Sequence, residues 1–545
     1  MTTHSRESIP DPATLTEIVR TPAIPAAETA PEGAPPEGTA PSAAPDMTHP
    51  EIMRALSGLL LGMFAAILSS TIVTNALPRI IADLGGGQSA FTWVVTATLL
   101  AMTASMPLWG KLADLFDKKL LIQAALTIYV IGSMIAGLSQ NPAMLISVRV
   151  VQGLGVGGLI GLSQIILAAM IPPRQRGRYS GYLGATFAAA TVSGPLIGGV
   201  ITDTSWLGWR WCFYIGVPFA IAALVVLHRT LKLPRVRRAG VRIDWTGAAL
   251  VSASVSLLLI WVTLAGDSYD WLSWQTLAMV GGSLLLAVLF VVVETRAAEP
   301  IIPLRLFRDR TIALTSATSL LVGVAMLAGT VFFAQYFQLA RGESATMSGV
   351  MTIPMIVGMT LSSTVSGRLI TRTGRWKSWL LAGGVLLTAG CALLGTVRYD
   401  TAYWQVAAAM LLLGLGVGMT MQNLVLAAQN VVGPEDLGAA SSMVAFFRTF
   451  GGAIGVAVLG ALLANRVAEY STSGLAELGV VPAGGGGQIP DMAALPGPVR
   501  TVIASAYGHG IADVFLVAAP IALGSLLLTV FIREVALRTH TGSAR

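Results

Sequence analysis

Fourteen stretches of about 20 mostly apolar residues recur along the chain, and each is long enough to cross a lipid bilayer as a helix. Of 545 residues, 54% are hydrophobic and 11% are charged, so the chain is too apolar to enclose its surface in one water-soluble core. The sequence therefore predicts an all-α integral membrane protein with 14 transmembrane helices. For residues 245–293, a single re-entrant unit is the alternative to two helices. The predicted spans are 56–77, 91–110, 119–139, 143–170, 180–203, 211–231, 245–265, 274–293, 312–338, 347–369, 379–397, 405–431, 439–465 and 510–532.

The basic residues are distributed unevenly between the loops on the two sides of the predicted membrane. With both termini in the cytoplasm, 26 of the 34 Lys and Arg residues fall in cytoplasmic loops and tails, and six fall in outer loops. This excess is typical of the cytoplasmic side of membrane proteins. Topology therefore explains the net charge of +7, and we expect no nucleic-acid partner. The proline-rich residues 1–54 lack a signal-peptide pattern, and we predict that they form a disordered cytoplasmic tail.

A repeat with an offset of 257 residues runs through the chain. The charged stretch GKLADLFDKK begins at Gly110, and the related stretch GRLITRTGRWK begins at Gly367. The repeat predicts two parallel six-helix bundles, 55–232 and 311–540, with a cytoplasmic linker and two inserted helices in 233–310. Internal repeats of this kind are the common plan of secondary transporters, whose substrate site lies between the repeats. Further pairs at the same offset are Gly181 with Gly438, Gly194 with Gly451, and Gly198 with Gly455.

Small residues at helical spacing predict two closely packed helices in the first bundle. Gly153 and Gly157 share one face of span 4, while Gly194, Pro195 and Gly198 lie in span 5. Small residues let helix backbones approach each other in lipid. Proline removes a backbone hydrogen bond and permits a bend, so we interpret span 5 as a hinge. For any single glycine, static packing is the alternative.

Several motifs together resemble the major facilitator superfamily and, within it, the fourteen-span drug:proton antiporter branch. The resemblance covers roughly residues 55–540. It implies the two-bundle fold and efflux of small lipophilic compounds by alternating access. It also implies exchange for protons with no cofactor, in a bacterial cytoplasmic membrane; we expect a monomer. The motifs are GKLADLFDKK after span 2, RVVQGLGVGG in span 4, GPLIGG in span 5, WRWCFYIGVP before span 6 and LSSTIVTNALP in span 1.

In this family the loop after span 2 forms part of the inner gate. Asp114 is then expected to accept hydrogen bonds and to pair with a basic residue of a neighbouring helix when the gate is closed. The alternative is that these charges only set the orientation of the chain in the membrane. That alternative explains the lysines better than it explains the acid. In the second copy of the charged stretch, Thr371 occupies the position of Asp114. We therefore expect the second half to hold the inner gate closed less tightly. The gate residues are Gly110, Asp114, Lys118, Lys119 and Gly367.

Two arginines lie within predicted spans, where a charge is costly and usually faces a cavity or a partner. The resemblance assigns Arg149 to proton coupling, and snorkelling to the outer headgroups is the alternative. Arg448 lies deeper in its span and is predicted to line a central cavity. For the amide side chains, an interhelical hydrogen bond explains the position equally well. The substrate-cavity candidates are Arg448, Phe446, Gln335, Gln422 and Asn423.

The branch commonly has an acid in span 1, but this chain has Ser69 at that position, and no Asp or Glu lies near the middle of another span. A cation-selective cavity usually needs a buried carboxylate. We therefore hypothesise a preference for neutral or anionic lipophilic compounds over dications. Asp203 and Asp513, near the outer ends of their spans, are the remaining candidates for proton coupling.

The sequence also argues against other functions. GLGVGG, from Gly153, has dinucleotide-fingerprint spacing, but it lies inside an apolar span rather than between a strand and a helix. There is no phosphate-binding P-loop and no nucleophile–base or metal constellation, so we expect neither an enzyme nor a metal site. The alternatives to drug efflux are export of an endogenous lipid or a self-made antibiotic, and a non-transporting receptor. Residues 466–509 are predicted to be an external loop in which PVRTVIASAY forms a short interfacial helix.

Overall fold

The chain forms a bundle of long helices. The computed structural model describes residues 49–85, 88–171, 173–204, 208–231, 233, 244–265, 269–297, 300–343, 345–479 and 496–537. Most of the predicted tail lies outside these ranges, so its disorder stays a prediction. Its last residues are helical, because the first helix begins at His49. In the described part of the chain, β structure is limited to one isolated bridge, Ala265–Tyr269.

Sixteen helices are described. They are α1 (His49–Asp83), α2 (Gln88–Leu115), α3 (Lys118–Gly137), α4 (Pro142–Met170), α5 (Pro173–Asp203), α6 (Trp211–Tyr214), α7 (Gly216–Thr230), α8 (Trp245–Leu264), α9 (Trp274–Arg296), α10 (Arg310–Gln335), α11 (Ala345–Met351), α12 (Ile353–Thr373), α13 (Lys377–Leu394), α14 (Tyr403–Val431), α15 (Leu437–Glu477) and α16 (Gly497–Phe531). A π-helical turn, Tyr336–Ala340, extends α10.

Thirteen helical segments of the described residues are long and apolar enough to cross a membrane, with α6–α7 and α11–α12 each forming one crossing. The remaining predicted crossing is α5, whose 31 residues include many Gly, Ser, Thr and Arg. At 1.5 Å per residue α5 is still long enough to span a bilayer. It packs along α1 and α12, so the structure agrees with the predicted fold of about 14 spans. The two inserted spans are separate helices, α8 and α9, rather than one re-entrant unit.

The predicted bounds of the external loop, 466–509, are wrong at both ends. Helix α15 continues to Glu477, and α16 already begins at Gly497. The segment PVRTVIASAY is therefore the start of a transmembrane helix and not a separate interfacial helix. Polar residues such as Arg466, Glu469 and Tyr470 hid the helical continuation from an apolar-run criterion. Residues 480–495 lie outside the described ranges.

Each half of the chain has its own hydrophobic core. One cluster of buried residues spans Ile52 to Leu231 on α1–α7, and a second spans Val322 to Leu537 on α10–α16. A third cluster joins the inserted helices to α2, α10 and α15. We call the end of the bundle at which α1 begins and α16 ends the tail side. The exact limits predicted for the bundles stay predictions.

The inserted helices lie on the outside of the bundle. Helix α8 packs against α2, α15 and α9, whereas α9 packs mainly on α8. Leu277 of α9 is 77% exposed, and Leu284, Leu285 and Val288 are also largely exposed. Such an apolar outer face is stable in lipid and would be unstable in water.

Candidate functional site: a closed interface between the two halves

The carboxylate of Asp114, near the end of α2, binds the first turn of α15. Asp114 Oδ1 accepts a hydrogen bond from Gly438 N at 2.8 Å, and Oδ2 accepts one from Ala439 N at 2.9 Å. The first amides of a helix lack partners within the helix, and the helix dipole favours an anion there. Asp436, at the N-cap position of α15, makes no side-chain cap hydrogen bond. One half of the protein thus supplies the helix cap of the other half.

This contact differs from the predicted pairing with a basic side chain. The direct partners of Asp114 are backbone amides, and Lys118 contributes a favourable electrostatic interaction from a position four residues along the same chain segment. Backbone amides carry no sequence signature. The motif could therefore reveal the acid but not what the acid binds.

Two glycines bring α2 and α15 into backbone contact at this point. A Cβ atom on Gly110 would overlap the hydroxyl of Ser442 and lie 3.0 Å from Gly438 O. A Cβ atom on Gly438 would lie 2.5 Å from Gly110 O. Contacts this short are not tolerated, so any side chain at either position would push the two halves apart.

The remaining charges of the GKLADLFDKK stretch stabilise the start of α3. Asp117 occupies its N-cap and accepts a hydrogen bond from Lys119 N at 2.9 Å. Lys119 Nζ donates to His228 O at the end of α7 at 2.6 Å. These contacts lie within the first half. They indicate a structural role for Asp117 and Lys119 and leave Asp114 as the acid that joins the halves.

The second copy of the stretch makes the equivalent contact within its own half. Lys377 Nζ donates to Val530 O at the end of α16 at 2.9 Å. Thr371, at the position of the missing acid, donates to Gly367 O of its own helix at 2.9 Å. This hydrogen bond of Thr371 and Gly367 therefore stabilises α12 itself rather than the contact between the two halves.

A hydrogen bond between two buried glutamines provides a second contact between the halves. Gln164 Nε2, on α4, donates to Gln422 Oε1, on α14, at 2.9 Å. The two residues are separated by 258 positions, one more than the repeat offset, so the repeat counterpart of Gln164 is Met421 and Gln422 is its neighbour. Gln422 was a sequence candidate, whereas Gln164 was not, and the repeat offset of 257 pairs Gln422 with Ile165 instead.

Helices α5 and α12 provide a third contact. A Cβ atom on Gly181 would lie 3.0 Å from Thr364 Cα, and one on Gly184 would lie 2.7 Å from Ser363 Oγ. Together with the Asp114 and glutamine contacts, this packing joins the halves toward the tail side. We call these three contacts the tail-side closure.

The glutamine bond leads to a test by double substitution. We expect Gln164→Ala and Gln422→Ala each to slow export by about five-fold, since a buried neutral hydrogen bond contributes about 1 kcal/mol. The double variant should be no slower than either single variant, because both changes remove the same bond. Initial rates of dye efflux measure this, with exposed Gln405→Ala on α14 as the control. Multiplicative effects of the two changes would show that the side chains act independently.

Arg149 is buried inside the first half. It is 3% exposed, and its Nη1 donates to Gln152 Oε1 at 2.6 Å, while Gln152 Nε2 donates to Ser133 Oγ at 2.8 Å. Since Gln152 lies three residues deeper along α4, the guanidinium points into the bundle and not toward the outer headgroups. This geometry argues against snorkelling. Its Nε has no hydrogen-bond partner among the described residues.

The position of the missing span-1 acid lies in the same region. Ser69 is fully buried on α1 and its Oγ has no hydrogen-bond partner among the described residues. It lies near Tyr129, since a Cβ atom on Gly216 would contact both side chains, and the Tyr129 hydroxyl donates to Ala65 O at 2.9 Å. Tyr129 also interacts electrostatically with Arg149. The cluster therefore contains a cation, hydroxyls and an amide, and no carboxylate contact is described for it.

Arg448 is the second buried cation. It is 3% exposed on α15, and within the described part of the chain no hydrogen bond or ion pair reaches its guanidinium. Phe446, two residues earlier, stacks on Phe450 with ring centroids 5.6 Å apart, in the cluster shared with α2 and α8. A buried cation requires a partner or water, so Arg448 stays a candidate for contacting a substrate.

The amide candidates have separate surroundings. Asn423 Nδ2 donates to Met419 O of its own helix at 2.7 Å and to Ser366 Oγ of α12 at 3.4 Å. Gln335 Oε1 is buried without a partner in the described residues. These contacts do not gather Gln335, Gln422 and Asn423 around one site in this closed arrangement, and their roles stay predictions.

The glycines predicted to pack do lie at helix contacts. A Cβ atom on Gly153 would lie 2.6 Å from Thr98 O, and one on Gly157 would lie 2.6 Å from Met102 O, both on α2. In α5, a Cβ on Gly194 would overlap the Thr71 hydroxyl, and one on Gly198 would lie 3.4 Å from Ile72 O. Helix α5 runs without a break through Gly194 and Pro195, so hinge motion there stays a prediction.

The two peripheral acids lie far from the tail-side closure along their helices. Asp513 Oδ2 accepts a hydrogen bond from Tyr470 OH at 2.9 Å and lies 3.4 Å from Arg466 Nε, so it joins α16 to the extended end of α15. Asp203 is the last residue of α5, and its side chain lies outside the described structure. A role of Asp203 or Asp513 in proton coupling stays a prediction.

Comparison with known proteins identifies the family. The family model of the Major Facilitator Superfamily matches residues 59–456. The chain belongs to the major facilitator superfamily. This member is 36% identical over 487 residues to an uncharacterised MFS-type transporter of Mycobacterium tuberculosis (88% of this chain, 69% of that protein). It is 34% identical over 420 residues to the multidrug transporter protein MdtP of Bacillus subtilis (77% of each chain).

A solved structure shows the same fold at low sequence identity. The crystal structure of the human organic anion transporter MFSD10 superposes with a TM-score of 0.58 and 15% identity, covering 87% of this chain and all of that one. Its membership of the superfamily makes this chain a multi-pass membrane transporter. Its family consists of transporters rather than enzymes.

Proposed function

We propose that the protein is a secondary active efflux transporter that exports small lipophilic compounds in exchange for protons by alternating access. The tail side faces the cytoplasm of a bacterial cell, and the termini are cytoplasmic. The observation that carries the proposal is the cap of α15 by Asp114. This contact exists only while the two halves are closed on the tail side, so breaking it must accompany opening.

The direction and the cargo class rest on similarity. MdtP is named a multidrug transporter, and the motif GPLIGG from Gly194 resembles exporters. One charge crossing a potential of 100 mV supplies about 2.3 kcal/mol, which drives roughly fifty-fold accumulation for each proton exchanged. Export of an endogenous lipid or a self-made antibiotic uses the same machinery with another cargo.

Accumulation of fluorescent lipophilic dyes in cells with and without the gene tests this proposal. We expect the gene to lower dye accumulation, and an uncoupler to abolish the difference. If the uncoupler has no effect, proton exchange is wrong. If no dye responds but an endogenous lipid or antibiotic leaves the cell only when the gene is present, the self-made cargo is correct.

The two buried cations support the predicted preference for neutral or anionic compounds. We expect Arg448→Gln to slow export of an anionic dye at least ten-fold and export of a neutral dye less than two-fold, since the guanidinium contributes only to binding the anion. Efflux rates of matched dyes measure this, with exposed Arg372→Gln as the control. Efficient export of a dicationic dye together with no export of an anionic dye would contradict the preference.

A further inference from the structure

Two acids meet where the inserted helices reach the tail side. Asp244 is the N-cap of α8, and its Oδ1 accepts a hydrogen bond from Gly247 N at 2.7 Å. Glu294 lies in the last turn of α9, is 3% exposed and accepts a hydrogen bond from Ile302 N through Oε1. Each carboxyl group thus uses one oxygen to accept a backbone hydrogen bond. The second oxygen of each group takes no part in these two hydrogen bonds.

These second oxygens face each other. Asp244 Oδ2 and Glu294 Oε2 are both buried, and no donor of the described chain reaches either. A Cβ atom on Gly247 would overlap Asp244 Oδ2 and lie 2.7 Å from Glu294 Oε2, so both oxygens lie over the same glycine. The two side chains are within hydrogen-bonding reach of each other.

No described cation neutralises this pair. The nearby bases are engaged or exposed: Arg305 is paired with Asp436 at 2.8 Å, Arg310 lies 6.0 Å from the ring of Phe531, and Arg296 is exposed. Neither acid forms an ion pair within the described ranges. The charged side chains toward the tail side of the surrounding elements are Arg296 of α9, Arg305 and Arg308 of the turn before α10, Asp309 and Arg310 at the start of α10, Asp436 and Arg448 before and within α15, and Lys111 and Asp114 of α2.

Two ionised carboxylates cannot remain in contact in a buried site without a counter-charge. One proton removes the conflict, because the protonated carboxyl group donates a hydrogen bond to the ionised one. We propose that Asp244 and Glu294 form a proton-binding site in which one proton is shared between Oδ2 and Oε2.

The pair also connects to the tail-side closure. Glu294 holds the chain at Ile302, and Ile301 and Ile302 belong to the same buried cluster as Ala439 and Met443 of α15. Protonation therefore stabilises the packing of the inserted helices and of Ile301 and Ile302 against α15, the helix that Asp114 caps. Loss of the proton weakens this packing. The proton site stands on the geometry alone, while its link to transport rests on the proposed function.

Thermal unfolding of the purified full chain across a pH series tests the proton site without measuring transport. The folded protein holds a proton that the unfolded chain releases, so its unfolding midpoint should fall as the pH rises far enough to remove the shared proton. Glu294→Gln keeps an oxygen for Ile302 N and places an amide donor against Asp244. Asp244→Asn keeps an oxygen for Gly247 N and places an amide donor against Glu294. Both variants should lose this fall and exceed the unmodified protein by a few degrees at alkaline pH.

Asp309→Asn is the matched control, because Asp309 caps α10 through Thr311 N at 2.7 Å and no neighbouring carboxyl group is described. It should retain the pH dependence. An infrared band of a buried carboxylic acid should be present in the unmodified protein and absent from both single variants. Equal pH dependence in all proteins, or no such band, would overturn the proposal. So would stabilisation of the unmodified protein alone by Na⁺, Mg²⁺ or Ca²⁺ at alkaline pH, since the pair would then be a cation site.

Discussion

Gly110→Ala is expected to reduce export more than ten-fold while leaving the protein folded and in the membrane. The added methyl group would overlap Ser442 and lie 3.0 Å from Gly438 O, so α2 and α15 cannot close at their observed separation. Alanine is the better helix former by about 1 kcal/mol, so loss of helix stability cannot explain the defect. The effect arises from the lost closure alone.

A second-site change and a distant glycine make this result specific. Ser442→Gly removes both atoms that overlap most with the new methyl group, so the Gly110→Ala/Ser442→Gly double variant should recover much of the export rate. Gly161→Ala is the control, since no atom lies within 4 Å of a Cβ there. Dye efflux measures the rate. A fully active Gly110→Ala variant would show that the two halves do not need to meet at this point.

Asp114→Asn is expected to reduce export about ten-fold or more by weakening the cap of α15. The amide keeps one acceptor oxygen but turns a donor toward the backbone amides, and it loses the charge that the helix dipole favours. Charge-assisted hydrogen bonds contribute about 1.5–3 kcal/mol each, so losing about 2 kcal/mol shifts the ratio of closed to open protein about thirty-fold.

Asp117→Asn is the matched control, three residues along the same stretch. Asp117 caps α3 through Lys119 N, and asparagine caps helices about equally well, so export should change less than two-fold. Labelling of a cysteine placed at Ala440 reports on the closure, because Ala440 is fully buried in the first turns of α15. The label should react faster in Asp114→Asn than in Asp117→Asn; equal rates would remove Asp114 from the gate.

The fold was largely predictable because lipid imposes long apolar runs and the repeat relates the two halves at a constant offset. The acid that joins the two halves was predictable from its motif, whereas its partners were not, since Gly438 and Ala439 contribute only backbone. The polar helical ends around Arg466 and Tyr470 fell outside an apolar-run criterion. Asp244 and Glu294 are 50 positions apart, and only packing of α8 on α9 shows that they meet.

Because Asp114 of the first half caps α15 of the second half, opening of the tail-side closure removes the cap from the first turn of α15. Whenever the halves part, the amides of Gly438 and Ala439 lose Asp114 and must turn to water, so their protons become exchangeable. Deuterium uptake at these two amides would therefore measure the fraction of time that the tail-side entrance spends open, in unlabelled protein and without any substrate.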